Sequence, residues 1–288
     1  MRTDLLARVD GLRSRRTPFV LATVVRAERP TSAKPGDCAV VTADGMLDGF
    51  VGGVCAESTV RIESLRLLAA GESELLRITP DAPSDISATA AQDGVRTVGN
   101  PCLSGGTLEI FLEAMLPPVL VAVFGESPVA RALVRMGAAL DWDVRMGLEP
   151  LTADTSAVIV ASHGRDEIPV LRAALDADVD YIALVASRRR AAGVLAELGA
   201  TDVERARIHA PAGLDIGARS AAEIALSVCA GIVAARPRVE RTPAAAGPAV
   251  AVDPVCGMEV LVGDGTPRVG DAYFCGTGCL AAWQARGR

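Results

Sequence analysis

Lysine is almost missing from this sequence. Lys34 is the only lysine among 29 basic residues, the rest being arginine, so chemistry built on a catalytic lysine has almost nowhere to reside. Aromatic residues make up 3% of the chain and there are only two histidines, so its cores must be built from Ala, Val, Leu and Ile. No apolar run approaches the ~20 residues of a membrane span. Residues 1–16 are polar and charged, without the apolar stretch of a secretory signal. These absences lead to the expectation of a soluble, cytoplasmic protein with no membrane span. The net charge of −6 and pI near 5.1 argue against a general binder of nucleic acid or of anionic membranes. The plentiful arginines remain suited to phosphate or carboxylate.

The chain is 288 residues long, room for about two domains of ~100–200 residues. Its seven cysteines, in a reducing compartment, read as thiols or metal ligands rather than disulfides. The most informative stretch is 48–57, DGFVGGVCAE. A strand-like run over 46–51 ends in Gly52 and Gly53, and Cys55 follows at the start of a segment in which Val60, Leu65 and Leu68 have amphipathic helical spacing. Paired glycines permit positive φ or close backbone approach. A helix start favours thiolate, the form that binds metals or attacks electrophiles. A small buried cysteine behind a tight turn has the same spacing.

Around this stretch, residues 1–116 read as an α+β domain: a helix carrying Leu5, Val9 and Leu12, strands at 18–25, 37–42, 46–51 and 74–78, and a polar loop at 79–93. Asp44-Gly45 marks a hairpin. A second cysteine and glycine turn follows, with Cys102 ahead of Gly105 and Gly106, leading into a strand at 107–112. The two turns are either unrelated or face one site.

Pro117-Pro118 marks a boundary, and 117–236 alternates apolar strands and helices as a Rossmann-like, doubly wound sheet does. Gly125 follows the first strand of this unit where a dinucleotide loop would lie, but Ser127 and Ala130 stand at the other two glycine places, and Glu126 adds negative charge. Glu149 falls about where a ribose-binding acid would. His163 follows the third strand of the unit, at the sheet edge where such folds bind ligands. It is a candidate acid, base or hydrogen-bond donor, or an ordinary loop histidine. Ser220-Ala221-Ala222-Glu223 is a capping box that opens the last helix, and Cys229 on that helix reads as packing.

Residues 237–252 read as a Pro/Ala-rich linker and 253–288 as a small metal-binding module. Cys256, Cys275 and Cys279 have the pattern Cys-x18-Cys-x3-Cys. Three thiolates suit a soft or divalent ion such as zinc, and a fourth ligand must come from Met258, a carboxylate, water or a partner. So short a segment builds little core unaided.

The segment 19–235 resembles the XdhC/CoxI family of accessory proteins for molybdenum hydroxylases. The likeness is carried by Ala22-Thr23-Val24-Val25, the turn at 49–57, Cys102 with Gly105-Gly106, Val123-Phe124-Gly125, Ser162-His163, Ser187-Arg188-Arg189-Arg190, and Gly213-Leu214-Asp215-Ile216-Gly217 with Glu223-Ile224-Ala225. The segment from Asp253 resembles a YHS domain through Asp-Pro-Val-Cys-Gly-Met and Tyr-Phe-Cys. The resemblance implies a non-catalytic protein that carries molybdenum cofactor as cargo and supports its sulfuration and insertion into an apo molybdenum hydroxylase, of xanthine dehydrogenase or CO dehydrogenase type. On this reading Cys55 and Cys102, with Gly52, Gly53, Glu57, Gly105, Gly106, Gly125 and His163, contact the cofactor. The expected partners are that apo-enzyme, a cysteine desulfurase and a second copy of the chain. The competing expectations are an NAD(P)-dependent oxidoreductase using 125–149 and a metal-binding regulator working through the tail.

Overall fold

The computed structural model describes residues 3–80, 94–99, 106–236, 249–263 and 265–286. The chain divides into two compact units, Met1–Pro117 together with Val239–Arg288, and Pro118–Arg238.

The first unit is built on a six-stranded sheet of order β3-β2-β1-β6-β4-β5. The strands are β1 (Phe19–Glu28), β2 (Cys38–Thr42), β3 (Leu47–Gly49), β4 (Glu74–Thr79), β5 (Val95–Gly99) and β6 (Thr107–Met115). The long central pair β1/β6 is antiparallel, with Val20 opposite Ala114 and Val24 opposite Ile110. Alternation along β1 divides the core in two. Val20, Ala22 and Val24 pack with Val60 and Leu67 of helix α2 (Val54–Ala70). Phe19 packs with Leu5, Val9 and Leu12 of α1 (Thr3–Ser14). Period two in the strand thus places one helix on each face.

Two departures from the sequence expectation have local causes. The strand expected over 46–51 is only three residues long. Gly49 takes φ of +123° and lies so close to β2 that a β-carbon there would be 2.4 Å from the Cys38 carbonyl oxygen. β5 was not expected; it gains its ladder from parallel pairing with β4, a long-range partner that its own mixed sequence does not announce.

A charged network binds α2 to this edge of the sheet. Glu63 is 4% exposed, accepts from Arg66 Nε at 2.7 Å, and forms an ion pair with Arg96 of β5 at 2.8 Å. Arg66 also pairs with Glu74 of β4.

The second unit has a five-stranded parallel sheet of order β11-β10-β9-β7-β8, formed by β7 (Leu120–Phe124), β8 (Asp143–Met146), β9 (Thr155–Val160), β10 (Tyr181–Leu184) and β11 (Ile208–His209). Helices α3 (Pro128–Ala139) and α7 (Ala221–Ala235) cover one face, where Val129, Leu133, Val228 and Ile232 meet Val121, Val123 and Ile159. Helices α4 (Glu167–Asp176) and α5 (Arg188–Glu197) cover the other, through Val170, Leu171, Leu175 and Ala191. This is the expected doubly wound α/β layer, with the order of strands reversing between β7 and β9. The capping box read at Ser220 is present on α7, and Cys229 is buried in the core. A short helix α6 (Asp202–Ala206) and strand β11 were not expected.

The tail holds two small hairpins, β12 (Val250–Val252) with β13 (Glu259–Leu261) and β14 (Arg268–Val269) with β15 (Ala272–Tyr273), followed by helix α8 (Thr277–Arg286). The last three residues of the expected 237–252 linker are therefore a paired strand, because Val250 and Val252 find partners in Leu261 and Glu259. The tail lies within the first compact unit, with Ser58 Oγ of α2 donating to the Glu259 carbonyl at 3.4 Å.

Two predictions follow from this packing. A β-carbon on Gly106 would lie 2.2 Å from the Pro30 carbonyl oxygen, whereas one on Gly53 meets nothing within 4 Å. Gly106→Ala should therefore destabilise the protein by about 1–3 kcal/mol and Gly53→Ala, an N-cap change without a clash, by about 0.5–1 kcal/mol, read from denaturant midpoints. Glu63→Ala, which takes the carboxylate away from Arg96 and leaves Arg66 with Glu74 alone, should cost about 3 kcal/mol in the same measurement.

Candidate functional site

Three segments converge at one end of the first sheet: the loop after β1, the turn joining β3 to α2, and the start of β6. The contacts are close. Gly52, at φ +140°, is placed so that a β-carbon would lie 3.1 Å from Ala56 Cβ and 3.2 Å from Leu108 Cδ1, with Ala33 Cβ at 4.0 Å. Gly106 abuts the backbone of Glu28 and Pro30. The missing side chains of Gly49, Gly52 and Gly106 therefore let the chain pack on itself. Of the four glycines 49, 52, 53 and 106, Gly53 is the one that faces open space.

Gly53 is the N-cap of α2, in extended conformation and with no side chain to close the helix end. Its carbonyl accepts from Glu57 N at 3.1 Å. Cys55 is the second residue of the helix and is partly exposed, and its carbonyl accepts from Thr59 Oγ1 at 3.2 Å. Glu57 sits in the first turn, where a carboxylate complements the helix dipole. The expected placement of Cys55 at a helix start thus holds. Cys102 and Gly105, the other half of the expected site, lie outside the described residues.

Gly125 and His163 belong to the second unit, where the β7 and β9 loops touch. A β-carbon on Gly125, at φ +107°, would lie 2.5 Å from the Ala161 carbonyl oxygen and from Ser162 Cα. This glycine is required for packing between the two loops. Ser127 caps α3, its Oγ accepting from Ala130 N at 3.1 Å. The serine that breaks the glycine pattern thus occupies a helix donor that a phosphate would otherwise use.

The sheet edge instead opens a cleft of about 600 Å³ beside β10 and β11, lined by His163, Val185, Arg188, Leu214, Ile216 and Ile224 among others. His163 is held at φ +54° by a residue the sequence did not single out. Glu167 is 5% exposed; it accepts from Gly164 N at 2.8 Å and from Arg190 Nη2 at 2.6 Å. Arg190 is thereby committed to structure. Arg188 stays exposed, 3.5 Å from Asp215. His209 stacks on Tyr181 with centroids 4.3 Å apart, and burial lowers its pKa.

In the tail, Cys256, Cys275 and Cys279 come together, and Asp253 joins them. One ligand atom from each of the four lies within 4.8 Å of every other. The Sγ atoms of Cys256 and Cys275 are 3.7 Å apart, and those of Cys275 and Cys279 3.6 Å. Four ligands at ~2.3 Å around a tetrahedral ion sit about 3.8 Å from one another, so the donor set and its spacing fit a soft or divalent metal.

Asp253 is fully buried and also organises the loops, accepting from Val255 N and Cys275 N, each at 2.8 Å. Its burial alone would raise its pKa; these backbone donors outweigh that and hold it at about 2. Burial pushes Cys279 up to about 11 and raises Cys275 as well. A bound ion would displace those protons. Sequence spacing left the fourth ligand open among Met258, a carboxylate, water or a partner. The carboxylate brought into place is Asp253, three residues before Cys256. The signal was an Asp-Pro step whose side chain can bond to backbone two residues on.

Among the described residues no helix is long and apolar enough to cross a membrane.

Two family profiles match the chain: the XdhC and CoxI family over residues 12–79 and the XdhC Rossmann domain over residues 121–232. Two curated Escherichia coli (strain K12) proteins are similar. The uncharacterized protein YqeB is 28% identical over 262 residues, which is 80% of this chain and 46% of YqeB. The molybdenum cofactor insertion chaperone PaoD is 27% identical over 282 residues, covering 82% of this chain and 88% of PaoD. The chain therefore spans about half the length of YqeB and most of PaoD. The crystal structure of a xanthine dehydrogenase from Bacillus halodurans is 16% identical, with a TM-score of 0.38 over 83% of this chain and 97% of that one; a likeness that weak carries no argument. The two profiles cover parts of both compact units, and on them the chain belongs to the XdhC and CoxI family.

Proposed function

We propose that this chain is a non-catalytic accessory protein that binds molybdenum cofactor as cargo and supports its sulfuration and insertion into an apo molybdenum hydroxylase. Family membership and the similarity to PaoD support the accessory role. The observation that carries the cargo reading is Cys55, partly exposed in the first turn of α2 behind a glycine that leaves the approach open. A soft sulfur ligand at a helix start suits a molybdenum centre or a sulfur-bearing intermediate. Backbone N–H groups of the first turn of α2, which Gly53 leaves without a side-chain cap, are available to the anionic parts of such a cargo. Cys102 is the second sulfur contact in this reading. A cysteine desulfurase and the apo-hydroxylase are the partners, the setting is the cytoplasm, and the chain acts as a homodimer. The tail binds a metal ion of its own through Asp253, Cys256, Cys275 and Cys279.

Cys55→Ala, purified after co-expression with a cofactor-making pathway, should keep the wild-type melting temperature and lose most of its bound pterin and molybdenum, measured by fluorescence after oxidation and by elemental analysis. Wild-type cofactor content in the variant would refute the reading. Saturable micromolar binding of NAD(P)H, followed by its fluorescence, would favour the oxidoreductase instead. The full chain should also take up one equivalent of zinc, and Cys275→Ser should lose it, as counted by native mass spectrometry.

A further inference from the structure

The thiol cluster and Cys55 meet the same end of one helix. Gly276 follows Cys275, and a β-carbon on it would lie 3.5 Å from Cγ1 of Val54, the residue before Cys55. One turn further along α2, Ser58 Oγ donates to the Glu259 carbonyl at 3.4 Å. Beyond that, a β-carbon on Gly45 would lie 3.6 Å from Leu65 Cδ1 and 3.8 Å from Leu261 Cδ1. The tail therefore runs along α2 from its first turn, against the helix that also packs on the sheet.

The tail has little of its own to hold this position. Its buried apolar side chains are Met258, Val260 and Phe274, with Trp283 ringed against Phe274 at 6.0 Å. A segment this small gains its order from a metal or a partner. The ligands come from two separated stretches, 253–256 and 275–279, and Gly276 lies between two of them. An ion that draws these stretches together also fixes the loop that faces Val54.

We infer that metal occupancy of the Asp253, Cys256, Cys275 and Cys279 site is coupled to access at Cys55. With the ion bound, the tail is fastened along α2 beside Val54 and narrows the approach to Cys55 from that side, the side at Gly53 staying open; without it, the tail loosens and Cys55 becomes more open. Coupling of this kind is reciprocal, so a ligand on Cys55 changes the metal affinity by the same factor. The inference goes beyond the cofactor reading and does not depend on what Cys55 carries.

The test uses the full chain, stripped with a chelator or loaded with one equivalent of zinc, and follows iodoacetamide alkylation of each cysteine by peptide mass spectrometry. Zinc should slow alkylation of Cys55 roughly fivefold, the low end of ordinary coupling between sites. Cys256→Ser should react at the stripped rate with or without zinc. Ser58→Glu sets a carboxylate against the Glu259 carbonyl; it should still bind one zinc but lose the protection. Equal Cys55 rates in stripped and loaded wild type would overturn the inference. So would protection that survives in zinc-loaded Ser58→Glu, since docking on α2 would then not be its cause. Loss of zinc stoichiometry in Cys55→Ala would overturn it too, by making Cys55 a ligand. None of these outcomes bears on pterin content, so failure here is separable from failure of the cargo reading.

Discussion

Backbone packed directly against backbone sets the geometry of the first unit. At Gly49 and Gly106 the neighbouring carbonyl oxygens stand where a β-carbon would be, and at Gly52 the neighbours are side chains at 3.1 and 3.2 Å. Those at Gly49 and Gly52 draw the β3–α2 turn onto the rest of the sheet. Helix α2 starts where it does because of them, and Cys55 is placed by the helix start. A larger residue at Gly49 or Gly52 would move the turn, and one at Gly106 the loop after β1, before it touched any ligand.

Helix α2 is also where the parts of the unit meet. One side closes the core through Val60 and Leu67. Glu63 and Arg66 tie it to β4 and β5. Ser58, beside the first turn, meets the tail. The same helix thus carries the candidate sulfur contact and receives the thiol cluster, which is the physical basis for treating the tail as part of this unit. In the second unit the corresponding organiser is Glu167. Buried at the start of α4, it holds the loop of His163 and uses Arg190 to do so, leaving the cleft beside β10 and β11 as the open part of the sheet edge.

Much of this was legible from residues in order. The run 119–124 is apolar throughout and became the interior strand β7, buried along its whole length. Ser220 and Glu223 announced the start of α7 and made both expected hydrogen bonds. Cys256, Cys275 and Cys279 announced a metal site by count and type. What was missed depends on distant partners. β5 is a strand because β4 lies beside it. Val250 to Val252 form a strand because 259–261 returns alongside. Ser127 read as an obstruction and turned out to be a helix cap, a choice made by its rotamer and not by its identity alone.

The sequence by itself determined the two-unit α/β plan, the placement of Cys55 at a helix start, and the presence of a thiol-rich tail, because hydrophobic period, capping residues and cysteine spacing act over a few neighbouring positions. Only the tertiary structure decided that Asp253 completes the thiol cluster, that Gly106 and Gly125 serve chain packing, and that the tail lies along α2. Each of these depends on atoms from segments far apart in the chain coming within a few ångströms, and no local pattern specifies such a meeting.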